Sequence, residues 1–290
     1  MKVAITGASG LFGHGLVRVF GARHTIFPLS HADVEISDSA AVRSVFEELR
    51  PEIVIHPAGI ADPDVCEADP ALATRVNVEG TRNVVEAARV CGARVVYIST
   101  DAVFDGTKQT PYVETDIPNP RSVYGRTKLQ AEQIVRSAPE HWIFRVSVMF
   151  GPGKTNFVEK GLRKLAAGES YVVAADQIGS ATYTLDAAAK MMEVIEAGRH
   201  GLFHLSNSGA CSRLELAQRA AVLAGFDPAK VVGKPREEMG RRGPRPKYAV
   251  MEMAALKQAG FAPPRSWEDA LAEYIFMTRG AQSEGERRKH

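Results

Sequence analysis

The sequence has few cysteines. Its three cysteines, Cys66, Cys91 and Cys211, are far apart, and no two of them form a C-x-x-C pair. Disulfide frameworks and cysteine-ligated zinc sites both need clustered cysteines, so neither is expected. We therefore expect a protein of the reducing cytoplasm that has no metal site.

An excess of one charge and long apolar runs are also missing. Thirty-six Lys and Arg against 34 Asp and Glu leave a net charge of +2, too small for the basic surface that nucleic acids require. No apolar run reaches the roughly 18 residues of a membrane span, and the apolar stretch after Met1 is too short for a signal-peptide core. We expect neither a nucleic acid nor a membrane as partner.

The composition is that of a globular protein, with 45% hydrophobic and 24% charged residues in a chain of 290. Its first half alternates short β-branched runs with amphipathic segments, which predicts β-α-β units around a parallel sheet. The predicted strands are 2–6, 25–29, 53–56, 94–99 and 143–146. The predicted helices are 11–20, 40–49 and a long one within 71–90.

The pattern changes at Gly151-Pro152-Gly153. Beyond it, helical stretches near 156–167, 186–197, 213–224 and 267–277 are separated by short apolar runs such as 171–174 and 202–205. We expect an α/β fold with a doubly wound parallel sheet of Rossmann type over 1–150. We expect a smaller mixed α/β substrate-binding region over 151–280, with some segments that return to the first domain. A flexible tail is predicted over 281–290.

A glycine-rich turn follows the first predicted strand and opens the first helix. Gly7, Gly10 and Gly13 have the spacing G-x-x-G-x-x-G, which suits a tight turn and a close approach of backbone N–H groups to a pyrophosphate. A β-α turn without a ligand is the alternative. The predicted cofactor contacts in this segment are Gly7, Ser9, Gly10, Leu11, Phe12 and Gly13.

The residues after the second strand indicate the choice of cofactor, because an acidic residue there binds the ribose hydroxyls of NAD and a basic one accepts the 2′-phosphate of NADP. Ser30 and His31 could hydrogen-bond a 2′-phosphate, and no acidic residue stands immediately at the strand end. We therefore expect NADPH or NADH, with NADP(H) favoured. Glu35 is a candidate for contacts near the adenine, and Asp38 is either a second candidate or a helix N-cap.

Two further segments carry polar groups suited to carbonyl chemistry. The fourth strand ends in Ser99-Thr100-Asp101, and the carboxyl edge of a parallel sheet is where ligands bind. Tyr124 and Lys128 are four residues apart, which places them one turn apart on a helix. A nearby ammonium lowers a phenol pKa, so the pair predicts acid–base catalysis on a carbonyl or carbinol, with Thr100 contacting the substrate oxygen.

Together these segments resemble the extended short-chain dehydrogenase/reductases, and among them the dTDP-4-dehydrorhamnose reductases, from residue 1 to about 278. The resemblance is carried by Ser99-Thr100-Asp101-Ala102-Val103-Phe104-Asp105-Gly106, by Pro111-Tyr112-x-Glu114-Thr115-Asp116, and by Val123-Tyr124-Gly125-Arg126-Thr127-Lys128-Leu129. Downstream, Gly151-Pro152-Gly153-Lys154-Thr155-Asn156, the segment from Asp176-Gln177 to Thr182-Tyr183, and Arg245-Pro246 are similar to the substrate side of that family.

The resemblance implies reduction of the 4-keto group of dTDP-4-dehydro-6-deoxy-L-mannose to dTDP-L-rhamnose, for polysaccharide synthesis. Tyr124 would protonate the alkoxide, Lys128 would hold the nicotinamide ribose, and Thr100 would polarise the carbonyl. The implied cofactor contacts also include Ala58, Gly59, Ser99, Tyr124 and Lys128. The implied substrate contacts are Asp101, Val103, Asn156, Gln177, Ser180 and Arg245.

Some positions depart from the family pattern. Val148 stands where an aromatic side chain is common, and His56-Pro57 alter the turn beside the cofactor ribose. Some members bind magnesium as part of dimerisation, but no acidic residues here match that site, so no metal is expected and a homodimer is left open. The alternative interpretation of Arg245 is a charged surface residue that does not bind substrate. The charges of Asp62, Asp64 and Glu67 are read as solvated, and Cys66 as a buried thiol.

Two other functions are consistent with the same residues. One is a nucleotide-sugar epimerase, dehydratase or other reductase of this fold, which could retain NAD and return the hydride within each turnover. The other is a non-catalytic dinucleotide-binding subunit resembling the regulatory subunit of methionine adenosyltransferase. Stoichiometric consumption of added NADPH separates the first from the predicted reductase, and co-purification of a synthetase subunit would favour the second.

Overall fold

A six-stranded parallel sheet forms the centre of the molecule. A computed structural model describes the backbone of residues 1–287 and the side chains of residues 1–278. The strands of the sheet are β1 (Lys2–Thr6), β2 (Thr25–Leu29), β3 (Ile53–His56), β4 (Arg94–Thr100), β5 (His141–Val146) and, after four shorter strands, β10 (Gly201–His204). Their order is β10-β5-β4-β3-β1-β2. This order confirms the predicted doubly wound fold and puts its switch point between β1 and β3.

Helices cover both faces of the sheet. In the first half they are α1 (Leu11–Phe20), α2 (Ser39–Leu49), α3 (Pro63–Ala68), α4 (Pro70–Thr74), α5 (Gly80–Cys91) and α6 (Val123–Val135). Side chains of α1 such as Leu16 and Phe20 pack on one face, and side chains of α2 and α5 such as Phe46 and Val84 pack on the other. Burial on both faces of the sheet explains why β1, β3 and β5 each contain a run of three consecutive apolar residues.

The long helix predicted within 71–90 is interrupted. A π-helical turn, Arg75–Glu79, separates α4 from α5. The Thr81 hydroxyl donates a 2.7 Å hydrogen bond to the carbonyl of Asn77, and the Asn77 side chain is itself engaged with Ile60. These local hydrogen bonds compete with the regular helical pattern, which hydrophobic periodicity alone does not reveal.

The second half contributes short strands and further helices. They are β6 (Met149–Phe150), α7 (Phe157–Ala166), β7 (Tyr171–Ala174), β8 (Ile178–Gly179), β9 (Thr182–Tyr183), α8 (Thr184–Glu196), β11 (Cys211–Ser212), α9 (Arg213–Leu223), β12 (Val231–Lys234), β13 (Tyr248–Ala249), α10 (Ala254–Gln258) and α11 (Trp267–Arg287). The short strands pair as β11-β8-β13, β12-β7 and β6-β9. Phe150, Tyr183, Trp267 and Tyr274 centre the core of this region.

The chain crosses between its two halves more than once. After β9, helix α8 packs against α1, and β10 then pairs with β5 of the main sheet. Helix α11 continues to Arg287, into the stretch 281–290 that is predicted as a tail. That stretch contains no proline and several favourable helix formers, and residues 288–290 lie outside the described residues. None of the described helices is both long and apolar enough to cross a bilayer.

Candidate active site

The glycine-rich turn forms a cradle at the carboxyl end of β1. Gly7 has a positive φ of 61°, and a Cβ on it would lie 2.8 Å from the Cα of Ala58. A Cβ on Gly13 would lie 2.3 Å from the Gly7 carbonyl oxygen, so only glycine allows this close packing. Gly10 caps α1 without any side-chain hydrogen bond, which leaves the N–H groups of the first turn available. These features fit a dinucleotide pyrophosphate.

The other residues predicted to bind the cofactor lie around this cradle. Ser9 is exposed at the turn, Leu11 is half-buried, and Phe12 is buried in the core beneath the sheet. Ala58 and Gly59 lie in the loop after β3, where a Cβ on Gly59 would be 2.8 Å from the Asn77 side-chain oxygen. The structure therefore places the backbone of this loop, but not the side chain of Phe12, beside the cradle.

A carboxylate occupies the end of β2. Asp33 accepts hydrogen bonds from the Ser30 N–H at 2.7 Å and from the Ser30 hydroxyl at 2.5 Å, and the Ser30 hydroxyl lowers the pKa of Asp33. Glu35 accepts from the N–H and hydroxyl of Ser37 and lies 3.2 Å from His31. Hydrogen bonds from Ser37 lower its pKa despite partial burial. Sequence reasoning missed Asp33 because it lies four residues beyond the strand.

The catalytic candidates lie at the adjacent carboxyl end of β4 and on α6. Ser122 caps α6 by accepting a hydrogen bond from the Gly125 N–H at 3.0 Å, which fixes the start of the helix at Val123 and so places Tyr124 in its first turn. The hydroxyl of Thr100 accepts from the Ala102 N–H and donates to Asp101 at 3.0 Å. It also lies close enough to the Tyr124 phenol to favour the ionised form of that phenol. The structure thus brings Thr100 and Tyr124 together.

Lys128 is buried and turned toward the sheet. Its Nζ donates a 2.6 Å hydrogen bond to the Ile98 carbonyl and lies 4.1 Å from the centre of the Tyr97 ring. Burial lowers the pKa of Lys128 to about 7 and raises that of Tyr124 above its ordinary value. The expectation that Lys128 lowers the Tyr124 pKa is wrong for this structure, because burial of the phenol prevails. A raised pKa keeps Tyr124 protonated at neutral pH.

Ser99 does not face the cradle. Its hydroxyl donates a 2.5 Å hydrogen bond to Glu132, and Glu132 forms a bidentate ion pair with Arg145 at 2.8 and 2.7 Å. All three residues are buried. The Ser99 hydroxyl is therefore engaged within the protein, because a buried carboxylate needs donors for its oxygens, and the cofactor contact of Ser99 stays a prediction.

His56, a departure from the family pattern, is part of the scaffold. One ring nitrogen lies 2.7 Å from the Thr6 hydroxyl and the other 3.1 Å from that of Thr81. Burial, with a contribution from the Lys128 charge, lowers the pKa of His56 to about 3. A neutral imidazole with both nitrogens engaged joins β1, β3 and α5, and it has no free nitrogen for catalysis.

A cleft lies beside the catalytic candidates. It is lined by Asp101, Val148, Gln177, Ile178, Gly179, Cys211, Ser212, Arg213, Leu216, Pro246 and Ala249. Asp101 and Gln177, both predicted to contact substrate, are brought together here. Asp101 accepts a hydrogen bond from Ser147, and burial raises its pKa. Val148 has a positive φ of 28°, rare for a β-branched residue, and this turn places it at the cleft.

Three other predicted substrate contacts lie outside the set of residues that line this cleft. Val103 is fully buried in a small apolar cluster. Asn156 caps α7 by accepting from two helix N–H groups, while its amide donates to the Tyr274 hydroxyl at 2.8 Å. Ser180 is buried and accepts from the Met251 N–H at 3.1 Å. Each of these side chains is committed to packing or to a protein hydrogen bond and does not line the cleft.

Arg245 is held by an acidic residue. Its guanidinium donates to both oxygens of Asp64, at 2.9 and 3.1 Å, and hydrogen bonding by Arg245 lowers the pKa of Asp64 to about 2. Asp62 caps α3, and Glu67 accepts from the Val123 N–H at 2.6 Å. The loop charges are thus structural rather than merely solvated. Cys66 is buried, and burial raises its pKa to about 11.

Arg213 is the cleft residue that sequence reasoning missed. It is the first residue of α9, and its guanidinium carbon lies 5.0 Å from the centre of the Phe157 ring. A cation at a helix N-terminus is electrostatically unfavourable, and this local conflict was the available signal. Among the described residues, no group of three or more His, Cys, Asp or Glu could hold a metal ion.

Comparison with known proteins gives a consistent result. The family model described as RmlD substrate binding domain matches residues 1–279. A dTDP-4-dehydrorhamnose reductase of Mycolicibacterium smegmatis is 34% identical over 98% of this chain and 88% of its own length. The spore coat polysaccharide biosynthesis protein SpsK of Bacillus subtilis is 36% identical over 94% of this chain and 96% of its own.

Solved structures agree with this result. A dTDP-4-dehydrorhamnose reductase of Clostridium acetobutylicum superposes with a TM-score of 0.92 at 34% identity, covering 96% of this chain and 100% of that one. The Bacillus anthracis enzyme in complex with NADP has a TM-score of 0.91 at 34% identity, covering 95% and 99%. The chain therefore belongs to the RmlD substrate binding domain family and has the fold of the extended short-chain dehydrogenase/reductases.

Proposed function

We propose that the chain reduces the 4-keto group of dTDP-4-dehydro-6-deoxy-L-mannose to dTDP-L-rhamnose, using NADPH or NADH. The observation that carries the proposal is the contact of Thr100 with Tyr124 between the glycine cradle and the Asp101 cleft. Membership of the family and the names of the relatives support the substrate class.

The side chains divide the chemistry between them. A bound NADPH or NADH would supply the hydride to the carbonyl carbon. Thr100 donates a hydrogen bond to the carbonyl oxygen, and Tyr124 transfers its phenolic proton to that oxygen as negative charge develops. Lys128 holds the ribose of the cofactor, for which it must turn its Nζ partly away from the Ile98 carbonyl. The raised pKa of Tyr124 suits a proton donor at neutral pH.

The glycine cradle and the end of β2 would hold the cofactor. The backbone N–H groups of Leu11 and Phe12 at the start of α1 suit the pyrophosphate, whereas the Gly10 N–H closes the turn by donating to the Gly7 carbonyl at 2.9 Å. The backbone of Ala58 lies against Gly7 of this turn, and Gly59 follows it in the same loop. A cytoplasmic location follows from the supply of reduced nicotinamide and nucleotide sugar, and the unpaired Cys66, Cys91 and Cys211 are consistent with it. A homodimer belongs to the same proposal and is checked by light scattering.

The test is oxidation of added NADPH and NADH with substrate generated in place by its upstream enzymes. We expect stoichiometric oxidation by the wild type and a loss of roughly 10²- to 10⁴-fold in kcat for Tyr124→Phe, typical of a removed general acid. Tyr248→Phe is the matched control, since its hydroxyl has no hydrogen bond within the described part of the chain.

Two results would contradict this proposal. Conversion of a nucleotide sugar without net oxidation of added cofactor would indicate an epimerase or dehydratase that retains NAD. Cofactor binding without any sugar reduction, together with co-purification of a synthetase subunit, would indicate a regulatory binding protein.

A further inference from the structure

The Arg213 guanidinium lines the cleft without a direct ion pair. It is partly buried, burial lowers its pKa, and no carboxylate of the described residues lies within ion-pair distance of it. Arg145, Arg245 and Arg265, by contrast, each pair with a carboxylate at 3.0 Å or less. In the same cleft the Asp101 carboxylate attracts the guanidinium but forms no ion pair with it. A partly buried cation whose charge is only partly compensated is costly, so the cleft is suited to receive an anion beside Arg213.

The backbone holds Arg213 firmly in this place. Its N–H donates a 3.0 Å hydrogen bond to the Gln177 carbonyl, and Ser212 and Glu215 form a capping box at the start of α9. The side chain lies against the Phe157 ring at 5.0 Å. Because its own helix terminus is satisfied by the capping box, the cation at this position serves no local helical purpose.

Neighbouring groups complete a polar lining. The Gln177 side-chain oxygen is buried without a hydrogen-bond partner, so the cleft also offers an acceptor that a ligand donor could satisfy. Arg241 is near enough for its charge to lower the pKa of Arg213. Arg245, the arginine chosen from the sequence, has its planar fork occupied by Asp64. Among the cleft-lining residues, Arg213 is the arginine available to an anionic group.

The cleft also joins the catalytic edge of the sheet to the start of α9. It begins at Asp101, directly after Thr100, and extends to Arg213. In a nucleotide sugar the reacting C4 and the phosphate-bearing C1 lie on opposite sides of one pyranose ring. With C4 at Thr100 and Tyr124, we place the diphosphate one sugar ring away, on the part of the cleft that Arg213 lines.

We propose that Arg213 anchors the diphosphate of the nucleotide sugar and thereby selects doubly charged substrates. This inference rests on the proposed function for the identity of the ligand, but its binding measurement does not depend on turnover. Arg213 donates hydrogen bonds to phosphate oxygens through its planar fork, whereas Arg245 remains paired with Asp64 and keeps its loop in place.

The test is calorimetric binding of dTDP, dTMP and thymidine to wild type and Arg213→Gln. We expect dTDP affinity to fall by about 10- to 100-fold, as for a lost hydrogen bond to a charged group, while thymidine affinity stays the same. Arg213→Lys should recover part of the loss. Arg219→Gln removes the same charge from an exposed position of α9 and is the matched control, with NADPH affinity and melting temperature measured for every variant.

Equal dTDP affinity in wild type and Arg213→Gln would overturn the inference. An equal loss of thymidine affinity in Arg213→Gln would also overturn it, as would a loss of dTDP affinity seen in Arg245→Gln alone. Failure of the two proposals is distinguishable. Phosphate-dependent binding through Arg213 without sugar reduction would leave this inference standing while the proposed reaction fails. Sugar reduction with an unchanged KM in Arg213→Gln would leave the proposed reaction standing while this inference fails.

Discussion

At the residue scale, Asp33 places a carboxylate near the end of β2, where the structure would distinguish NADPH from NADH. Sequence inspection favours NADP(H) because no acidic residue follows Leu29 directly, yet Asp33 folds back to bind both the N–H and the hydroxyl of Ser30. A carboxylate at this point repels a 2′-phosphate and accepts hydrogen bonds from ribose hydroxyls. NADPH and NADH therefore both have groups that favour them at the end of β2.

Asp33→Asn is expected to raise the preference for NADPH over NADH several-fold. The substitution removes a negative charge where the 2′-phosphate would lie and leaves an amide oxygen that still accepts from Ser30. The measurement is kcat/KM for each cofactor at fixed substrate. Glu47→Gln removes a charge from the exposed side of α2 and should leave the ratio unchanged, and an unchanged ratio in Asp33→Asn would place the 2′-position elsewhere.

The placement of a residue was predictable where it depends on spacing along the chain, and unpredictable where it depends on which of several partners the side chain binds. Gly7, Tyr124 and Lys128 could be identified from the distance between residues along a strand-turn-helix or helix. The commitment of Ser99 to Glu132 and of Arg245 to Asp64 joins residues 33 and 181 positions apart. No local sequence pattern shows which of several polar groups forms such a long-range hydrogen bond or ion pair.

At the scale of elements, the N-cap of α7 also joins two helices. Asn156 accepts from the Val158 and Glu159 N–H groups, and its amide donates to the Gly151 carbonyl and the Tyr274 hydroxyl of α11. All the hydrogen-bonding capacity of this buried amide is used within the protein. The start of α7 is therefore fixed to α11, which lies more than a hundred residues later.

Asn156→Ala is expected to lower the free energy of unfolding by about 2–4 kcal/mol, combining a lost cap with a lost hydrogen bond in the core. Chemical denaturation measures this, and kcat and KM of the folded variant should change little. Asp38→Ala, which removes the exposed cap of α2, should cost only about 1 kcal/mol. A rise in KM at unchanged stability would restore Asn156 to the substrate site.

Elements of the sheet were the most predictable part of the fold. Strands β1, β2 and β3 and helix α1 have the predicted boundaries, because a buried parallel strand is continuously apolar and an amphipathic helix repeats every 3.6 residues. The π-helical turn at Arg75–Glu79 and the two-residue strands β6, β8 and β9 escaped prediction. These elements are too short for periodicity to define them.

At the scale of the molecule, two buried histidines make the fold sensitive to acid. Burial lowers the pKa of both His56 and His204 to about 3 from 6.5. Between those values the unfolded chain binds more protons than the folded one. The free energy of unfolding therefore falls as the pH drops from 6.5 toward 3, by about 1.4 kcal/mol per pH unit for each histidine.

His204→Gln is expected to reduce this slope by about 1.4 kcal/mol per pH unit, even if the variant is less stable at neutral pH because it loses contacts to Tyr112 and Glu252. Urea unfolding at a series of pH values from 6.5 downward measures the slope. His31→Gln, at an exposed position, is the matched control. An unaltered slope in His204→Gln would mean that His204 is not buried in the neutral form.

The last strand of the main sheet has a consequence for how the chain is made. β10 joins β5 only after α8, so the sixth strand is supplied by residues 201–204. Until the ribosome has synthesised that segment, Phe144 lacks the stacking partner Phe203 and β5 presents unpaired backbone groups at an open edge. During synthesis the sheet of the cofactor-binding half therefore stays incomplete, and prone to association through its open edge, until most of the chain has emerged.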